Sequence, residues 1–137
     1  MTGHITFITP VYAGFFGILL VVLSRRVTNL RRKYESSNKM RESGHNELNA
    51  AVRARDNIVE YVPYALLLMW MLETMQFSAH LIHGLGILLV VARMAHLHGL
   101  SQPGGDGFGR RLGNNLTWAH IIICSAFCFS GAFGFVF

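Results

Sequence analysis

Four long apolar segments alternate with polar ones along the 137-residue chain. They cover about residues 5–24, 57–75, 78–100 and 116–137. Each is close to the roughly 20 mostly apolar residues that a transmembrane helix needs. Only two or three residues separate the second span from the third, so these two helices must be antiparallel neighbours. The pattern predicts an all-α, integral membrane four-helix bundle of up-down topology, with residues 1–137 forming one domain.

The composition agrees with a membrane protein, because 52% of the residues are hydrophobic and only 14% are charged. Nine of the twelve Lys and Arg lie between Arg25 and Arg55. Since basic residues concentrate on cytoplasmic loops, both long loops are predicted to face the cytoplasm and both termini the periplasmic side. The short chain without eukaryotic targeting signals favours a bacterial inner membrane. The basic loop is explained by this topology, so no nucleic-acid partner is expected.

The polar loops carry their own structural signals. Helix-forming residues from about Asn46 onwards predict that the second helix begins in the cytoplasm and projects into its span. Pro63 is predicted to bend that helix. The second long loop, residues 101–113, is rich in glycine and is predicted to be flexible.

A stripe of polar residues follows one side of the second helix into the membrane. Arg53, Asn57, Glu60 and Tyr64 recur at i, i+4, i+7 and i+11, and Tyr61 flanks them. A carboxylate in hydrocarbon is costly unless it is paired, so such a residue marks a functional site by default. The stripe therefore directs attention to the cytoplasmic boundary of the membrane.

Cations reach the same level from the other spans: Arg93 and His96 on span three, Arg110 and Arg111 after it, and Arg25 and Arg26 at the end of span one. Three interpretations remain open from the residues alone. The arginines could be interfacial anchors whose long chains reach the headgroups. Glu60 and Arg93 could form an internal ion pair that joins two helices. The groups could also line a polar pocket that opens to lipid on its apolar side.

The pocket interpretation points to a particular kind of ligand. Arginines offer planar forks for carboxylates, Glu60 can accept an ammonium group, and Asn57 offers donors and acceptors. A ligand with two carboxylates, one amine and peptide bonds matches this set, and glutathione is such a ligand. A hydrophobic electrophile could reach the same pocket from the lipid.

Two motifs give the chain a family resemblance over nearly its whole length. In RARDNIVEYVP, Arg53, Asn57, Glu60 and Tyr61 precede a nearby proline, and ARMAHLHGL adds an arginine followed three residues later by a histidine. With four spans and a basic first loop, the chain resembles the MAPEG family, the membrane-associated proteins of eicosanoid and glutathione metabolism. The resemblance implies a homotrimer with glutathione held between adjacent subunits near the cytoplasmic side.

The resemblance also implies roles for individual residues. The glutathione-binding set would be Arg53, Asn57, Glu60, Tyr61, Arg93, His96 and Arg26, with the last three following the family pattern of spans three and one. The arginine that stabilises the glutathione thiolate would be Arg111 or, with the register shifted by one residue, Arg110. No metal is expected, since His80 and His83 lack further ligands nearby.

The activity implied is that of a microsomal glutathione transferase-like enzyme of detoxification. Glutathione, as co-substrate, would be conjugated to hydrophobic electrophiles or would reduce lipid hydroperoxides. Some leukotriene- and prostaglandin-forming members carry a tyrosine four residues past the His96 position, where this chain has Leu100, so a general transferase or peroxidase is expected. The alternatives are a non-catalytic, lipid-binding member of the family and a small four-span exporter.

Two smaller expectations concern other residues. Cys124 and Cys128 are expected to be packing residues. Glu73, near the outer end of span two, is expected to reach water.

Overall fold

The computed structural model describes residues 7–35, 42–102 and 107–134. These residues form four α-helices: α1 (Thr9–Glu35), α2 (Glu42–Thr74), α3 (Ala79–Ser101) and α4 (Phe108–Ala132). Within the described ranges there is no strand, so the predicted all-α fold is confirmed. Consecutive helices pack as neighbours, and α2 contacts all three others.

Three helices are long and apolar enough to cross a membrane, namely α1, α3 and α4. Large apolar side chains on their outer faces are exposed, such as Ile18 at 71% and Ile122 at 67%. Such a surface is suited to lipid rather than to water. α2 is long enough at 33 residues, but it is not among the described helices that are also apolar enough to cross a membrane, so the crossing by residues 57–75 stays a prediction.

The helix ends differ from the predicted spans. α1 continues past Ser24 to Glu35, and α2 begins at Glu42, before the predicted span and close to the predicted helix start near Asn46. α4 begins at Phe108, so the prediction of a flexible loop is wrong for residues 108–113, while residues 103–106 lie outside the described part. α2 runs through Pro63 as one continuous helix.

Glycines explain why α4 starts early. A Cβ added at Gly109 would lie 2.8 Å from the carbonyl oxygen of Ala95, and one at Gly113 would lie 2.6 Å from the backbone nitrogen of His96. The two helices therefore meet at backbone contact, which small residues allow. This packing holds the first turns of α4 against the end of α3, and a glycine-rich sequence that looks like a loop becomes a helix–helix seam.

The core lies around α2. Its inward side chains are Ile58, Val62, Ala65, Met69 and Leu72, each at most 3% exposed. A second, smaller cluster of Val27, Leu30 and Ala51 joins the far ends of α1 and α2. Beside that cluster, the hydroxyl of Tyr34 donates a hydrogen bond to Glu47 at 2.7 Å. α1 and α2 thus stay paired over the segment that the sequence assigns to the cytoplasm.

Glu73 does not reach water as expected, because it is buried at 9% exposure. Its carboxylate accepts the backbone N–H groups of Ile8 and of Thr9, the second at 3.0 Å. The first turn of α1 contains no acidic residue of its own. Glu73 therefore supplies the negative charge and the acceptors that a helix N-terminus favours.

Candidate ligand site at the basic end of the bundle

Arg93 occupies the centre of the bundle, and its side chain is 1% exposed. The guanidinium donates hydrogen bonds to Asn57 Oδ1 on α2, to the carbonyl of Gly113 at 3.0 Å, and to the hydroxyl of Thr117. Thr117 in turn donates to the carbonyl of Gly113 at 2.9 Å. One side chain of α3 therefore ties α2 to α4, and the acceptors balance much of the cost of burying its charge.

The internal ion pair between Glu60 and Arg93 is not formed. Over the described ranges Glu60 takes part in no salt bridge, and its side chain is exposed on the single chain. Arg93 uses the amide of Asn57 instead. Asn57 and Glu60 are three residues apart, which separates them by about 60° around the helix. Asn57 therefore faces α3 while Glu60 faces outward.

A cavity of about 830 Å³ opens at the basic end of the bundle, between α1, α2 and α3. Its polar rim includes Arg26 and Arg53, both exposed, and its apolar floor includes Leu23, Met94 and Leu97. The volume is in the range of cavities that hold small ligands. Among the predicted binding residues, Arg26 and Arg53 line this cavity. Asn57, Glu60 and Tyr61, which lie one to two helical turns further along α2, are not part of its lining.

Burial divides the predicted binding residues into two groups. Arg26, Arg53 and Glu60 are exposed, and Asn57 and Tyr61 are half-buried, so a ligand can reach all five. Arg93 and His96 are 1% and 3% exposed, so within one chain neither is open to a ligand.

The two candidate thiolate arginines lie in the first turn of α4. Arg110 is half-buried and Arg111 is exposed. Arg110 lies close enough to His96 for the two side chains to interact electrostatically. Both arginines are therefore placed at the same end of the bundle as the cavity, on a helix held against α3, although neither lines the cavity within one chain.

Sequence reasoning missed Thr117 and the carbonyl of Gly113 as partners of Arg93. Thr117 lies in the polar start of the fourth span, and nothing in its spacing distinguishes it from a packing residue. Elsewhere, Cys124 is buried and Cys128 partly buried, both as free thiols. Nearer the opposite end, Tyr12 Oη lies 3.1 Å from His83 Nδ1.

Comparison with known proteins identifies the class. The profile described as "MAPEG family" matches residues 9–130. The chain is also 30% identical over 116 residues to "Inner membrane protein YecN" of Escherichia coli (strain K12), over 85% of this chain and 86% of that protein. YecN of an Escherichia coli O6:H1 strain matches to the same extent. No solved structure matches. The chain belongs to the MAPEG family, and it is an integral membrane protein.

Proposed function

We propose that this protein is a membrane-bound glutathione transferase with glutathione peroxidase activity, working as a homotrimer at the cytoplasmic boundary of a bacterial inner membrane. Membership of the MAPEG family supports this class of activity. The similarity to an inner membrane protein of Escherichia coli supports the location. The termini would face the periplasm, which reporter fusions at either end can test.

The observation that carries the proposal is the polar face of α2. Arg53 and Glu60 are both exposed on a single chain, seven residues apart on one side of the helix. An exposed carboxylate two turns inside a membrane is costly unless another group covers it. A neighbouring subunit with a charged peptide between the two chains would cover this face and pair its charges.

Glutathione fits the spacing and the charges of this face. Arg53 and Glu60 are separated by roughly 10 Å along the helix axis, since each residue adds about 1.5 Å. Arg53 would bind a carboxylate of the peptide, and Glu60 would accept its ammonium group. Asn57 lies between them on the same helix and offers an amide. Tyr61 follows Glu60 and is half-buried, and Arg26 lines the cavity together with Arg53.

The chemistry requires a thiolate, because the thiol itself is a poor nucleophile. Arg111 is the first candidate to stabilise it and Arg110 the second, each by its positive charge in a site of low dielectric. The thiol proton passes to water and the sulfur attacks the electrophilic carbon, expelling a leaving group such as chloride. With a hydroperoxide, the thiolate attacks the outer oxygen and becomes a sulfenic acid, while the alkoxide leaves and takes up a proton to give the alcohol. The thiol of a second glutathione then attacks the sulfenic sulfur, which gives the disulfide and releases water.

The test uses the purified protein in lipid nanodiscs. Thiolate formation is followed by ultraviolet absorbance during glutathione titration, conjugation with a chlorodinitrobenzene, and peroxidase activity with cumene hydroperoxide. Wild-type protein is expected to form the thiolate and to turn over. Arg111→Ala is expected to abolish turnover while glutathione still binds. If the match to the family pattern is shifted by one residue, Arg110→Ala is expected to have this effect instead.

Two further variants separate binding from chemistry. Glu60→Ala and Asn57→Ala are expected to weaken glutathione binding, whereas Arg55→Ala is the matched control. Arg55 is two residues from Arg53 but forms a salt bridge with its neighbour Asp56. Absence of both thiolate and turnover in the wild type would refute the enzyme. Lipid binding without turnover would instead identify a non-catalytic member of the family.

A further inference from the structure

We propose that Arg93 is a positioning residue, which fixes the amide of Asn57 so that its two N–H donors face the bound peptide. The inference rests on the proposed function and revises the direct role that the family resemblance gives to Arg93. It assigns the contact with glutathione to Asn57 and the support of that contact to the buried guanidinium behind it.

Burial prevents Arg93 from touching a ligand. The side chain is 1% exposed, and its bonds lead to α2 and α4 rather than to the cavity. Its Nε atom is buried and has no hydrogen-bond partner among the described residues. A ligand group would have to enter the bundle to reach it, whereas Asn57 is half-buried and within reach of one.

The chemistry of the guanidinium decides which way the amide points. Arginine has only donors, so the atom of Asn57 that faces Arg93 must be the oxygen, Oδ1. The NH₂ group is then turned away from Arg93. Within the described parts of the chain no hydrogen bond uses Nδ2, which leaves two donors for a peptide carbonyl of the ligand.

The other bonds of Arg93 connect this amide to the thiolate arginines. Gly113 and Thr117, which hold the guanidinium from α4, follow Arg110 and Arg111 by one and two helical turns. A single side chain thus links the helix that binds the peptide to the helix that would stabilise its sulfur. Weakening the α4 end should therefore loosen Asn57, although Thr117 itself is buried and cannot touch the ligand.

The experiment perturbs the network at the position farthest from the ligand. KM for glutathione, kcat and the melting temperature are measured for Thr117→Val, Thr117→Ser and Arg93→Lys. Thr117→Val removes an acceptor of Arg93, and Arg93→Lys replaces the planar fork by a point charge. Each is expected to raise KM by about tenfold, the equivalent of one hydrogen bond to a charged group, with kcat changed by less than about twofold. Thr117→Ser keeps the hydroxyl and is expected to restore the wild-type KM.

Asn57→Asp separates positioning from stability. It keeps an oxygen for Arg93 and forms a charge-assisted pair, so the melting temperature is expected to hold or rise. It also replaces the two N–H donors by a negative charge, so glutathione binding is expected to fall at least about tenfold. A variant that is stable and yet does not bind is not explained by a merely structural network.

Three results would overturn the inference in distinguishable ways. Thr117→Val that lowers the melting temperature and leaves KM unchanged would make the network structural only. Arg93→Lys is also compared with glutathione analogues that lack one or the other carboxylate. An effect that disappears with one analogue would mean that Arg93 binds that carboxylate itself. Wild-type protein that binds no glutathione would refute the proposed function along with the inference.

Discussion

Removing the carboxylate of Glu73 is expected to destabilise the bundle, because this group closes the N-terminus of α1. It accepts the backbone N–H groups of Ile8 and Thr9 at a site 9% exposed. A buried donor left without its acceptor costs about 1–3 kcal/mol, and a carboxylate at a helix N-terminus contributes up to about 2 kcal/mol. Since both effects come from one group and do not add fully, Glu73→Ala should lower the free energy of unfolding by about 3 kcal/mol. Glu73→Gln keeps an acceptor oxygen but loses the charge, so it is expected to lower the free energy of unfolding by about half as much as Glu73→Ala.

The measurement is unfolding of the purified protein in mixed micelles by denaturing detergent, followed by the fluorescence of Trp70 and Trp118. Glu47→Ala is the control, since Glu47 is an exposed carboxylate of α2 that accepts a hydrogen bond from Tyr34. Glu47→Ala is expected to lower the free energy of unfolding by less than about 1 kcal/mol. Equal losses for Glu73→Ala and Glu47→Ala would refute the reasoning, because the two groups would then be energetically alike.

Three further predictions concern the α3–α4 packing, the α2–α3 turn and the burial of the two thiols. Gly113→Ala should lower the free energy of unfolding by about 1–3 kcal/mol, because the new Cβ would lie 2.6 Å from a backbone nitrogen of α3. The control Gly84→Ala places its Cβ in open space and should be neutral or stabilising, so equal effects of the two variants in the same unfolding assay would contradict this prediction. Gln76 has a φ of 63°, so Gln76→Gly should stabilise the α2–α3 turn by roughly 0.5–1 kcal/mol, and a loss of stability would show that the turn is not strained. Cys128 should react with a membrane-permeant maleimide faster than Cys124, which is 0% exposed. Mass spectrometry measures the labelling rate of the wild type and of Cys128→Ser, in which only Cys124 remains, and equal rates would contradict the burial of Cys124.

The apolar pattern predicted the helices because burial or lipid contact sets their faces, and both leave a periodic trace in the sequence. The start of α4 was not predictable in the same way. Residues 107–113 contain three glycines, which locally favour a loop, and only the backbone contact with α3 makes them helical. Tertiary packing overrides local preference there.

The hydrogen-bond partner of an individual side chain was harder to predict than the helix face on which that side chain lies. The stripe on α2 predicted polar groups along one side of this helix, but Asn57 and Glu60 lie on opposite edges of the stripe. Periodicity does not say which edge meets α3. The hydrogen bond from the backbone N–H of Thr9 to Glu73 joins residues 64 positions apart, so no local sequence motif predicts it. The homotrimer, glutathione and the role of Arg111 concern other molecules, and they remain predictions.

Under the proposed function, the length of α2 sets where the two unlike reactants would meet. Its 33 residues extend for about 50 Å, whereas the hydrocarbon layer is about 30 Å thick. With Thr74 at one boundary of that layer, the other boundary falls near Arg53, and Glu60 lies about two turns beneath it. A water-soluble compound can then dock from the aqueous phase while a fat-soluble one arrives by lateral diffusion. Neither would have to leave its own phase, so the proposed enzyme would need no channel and no carrier to bring them together.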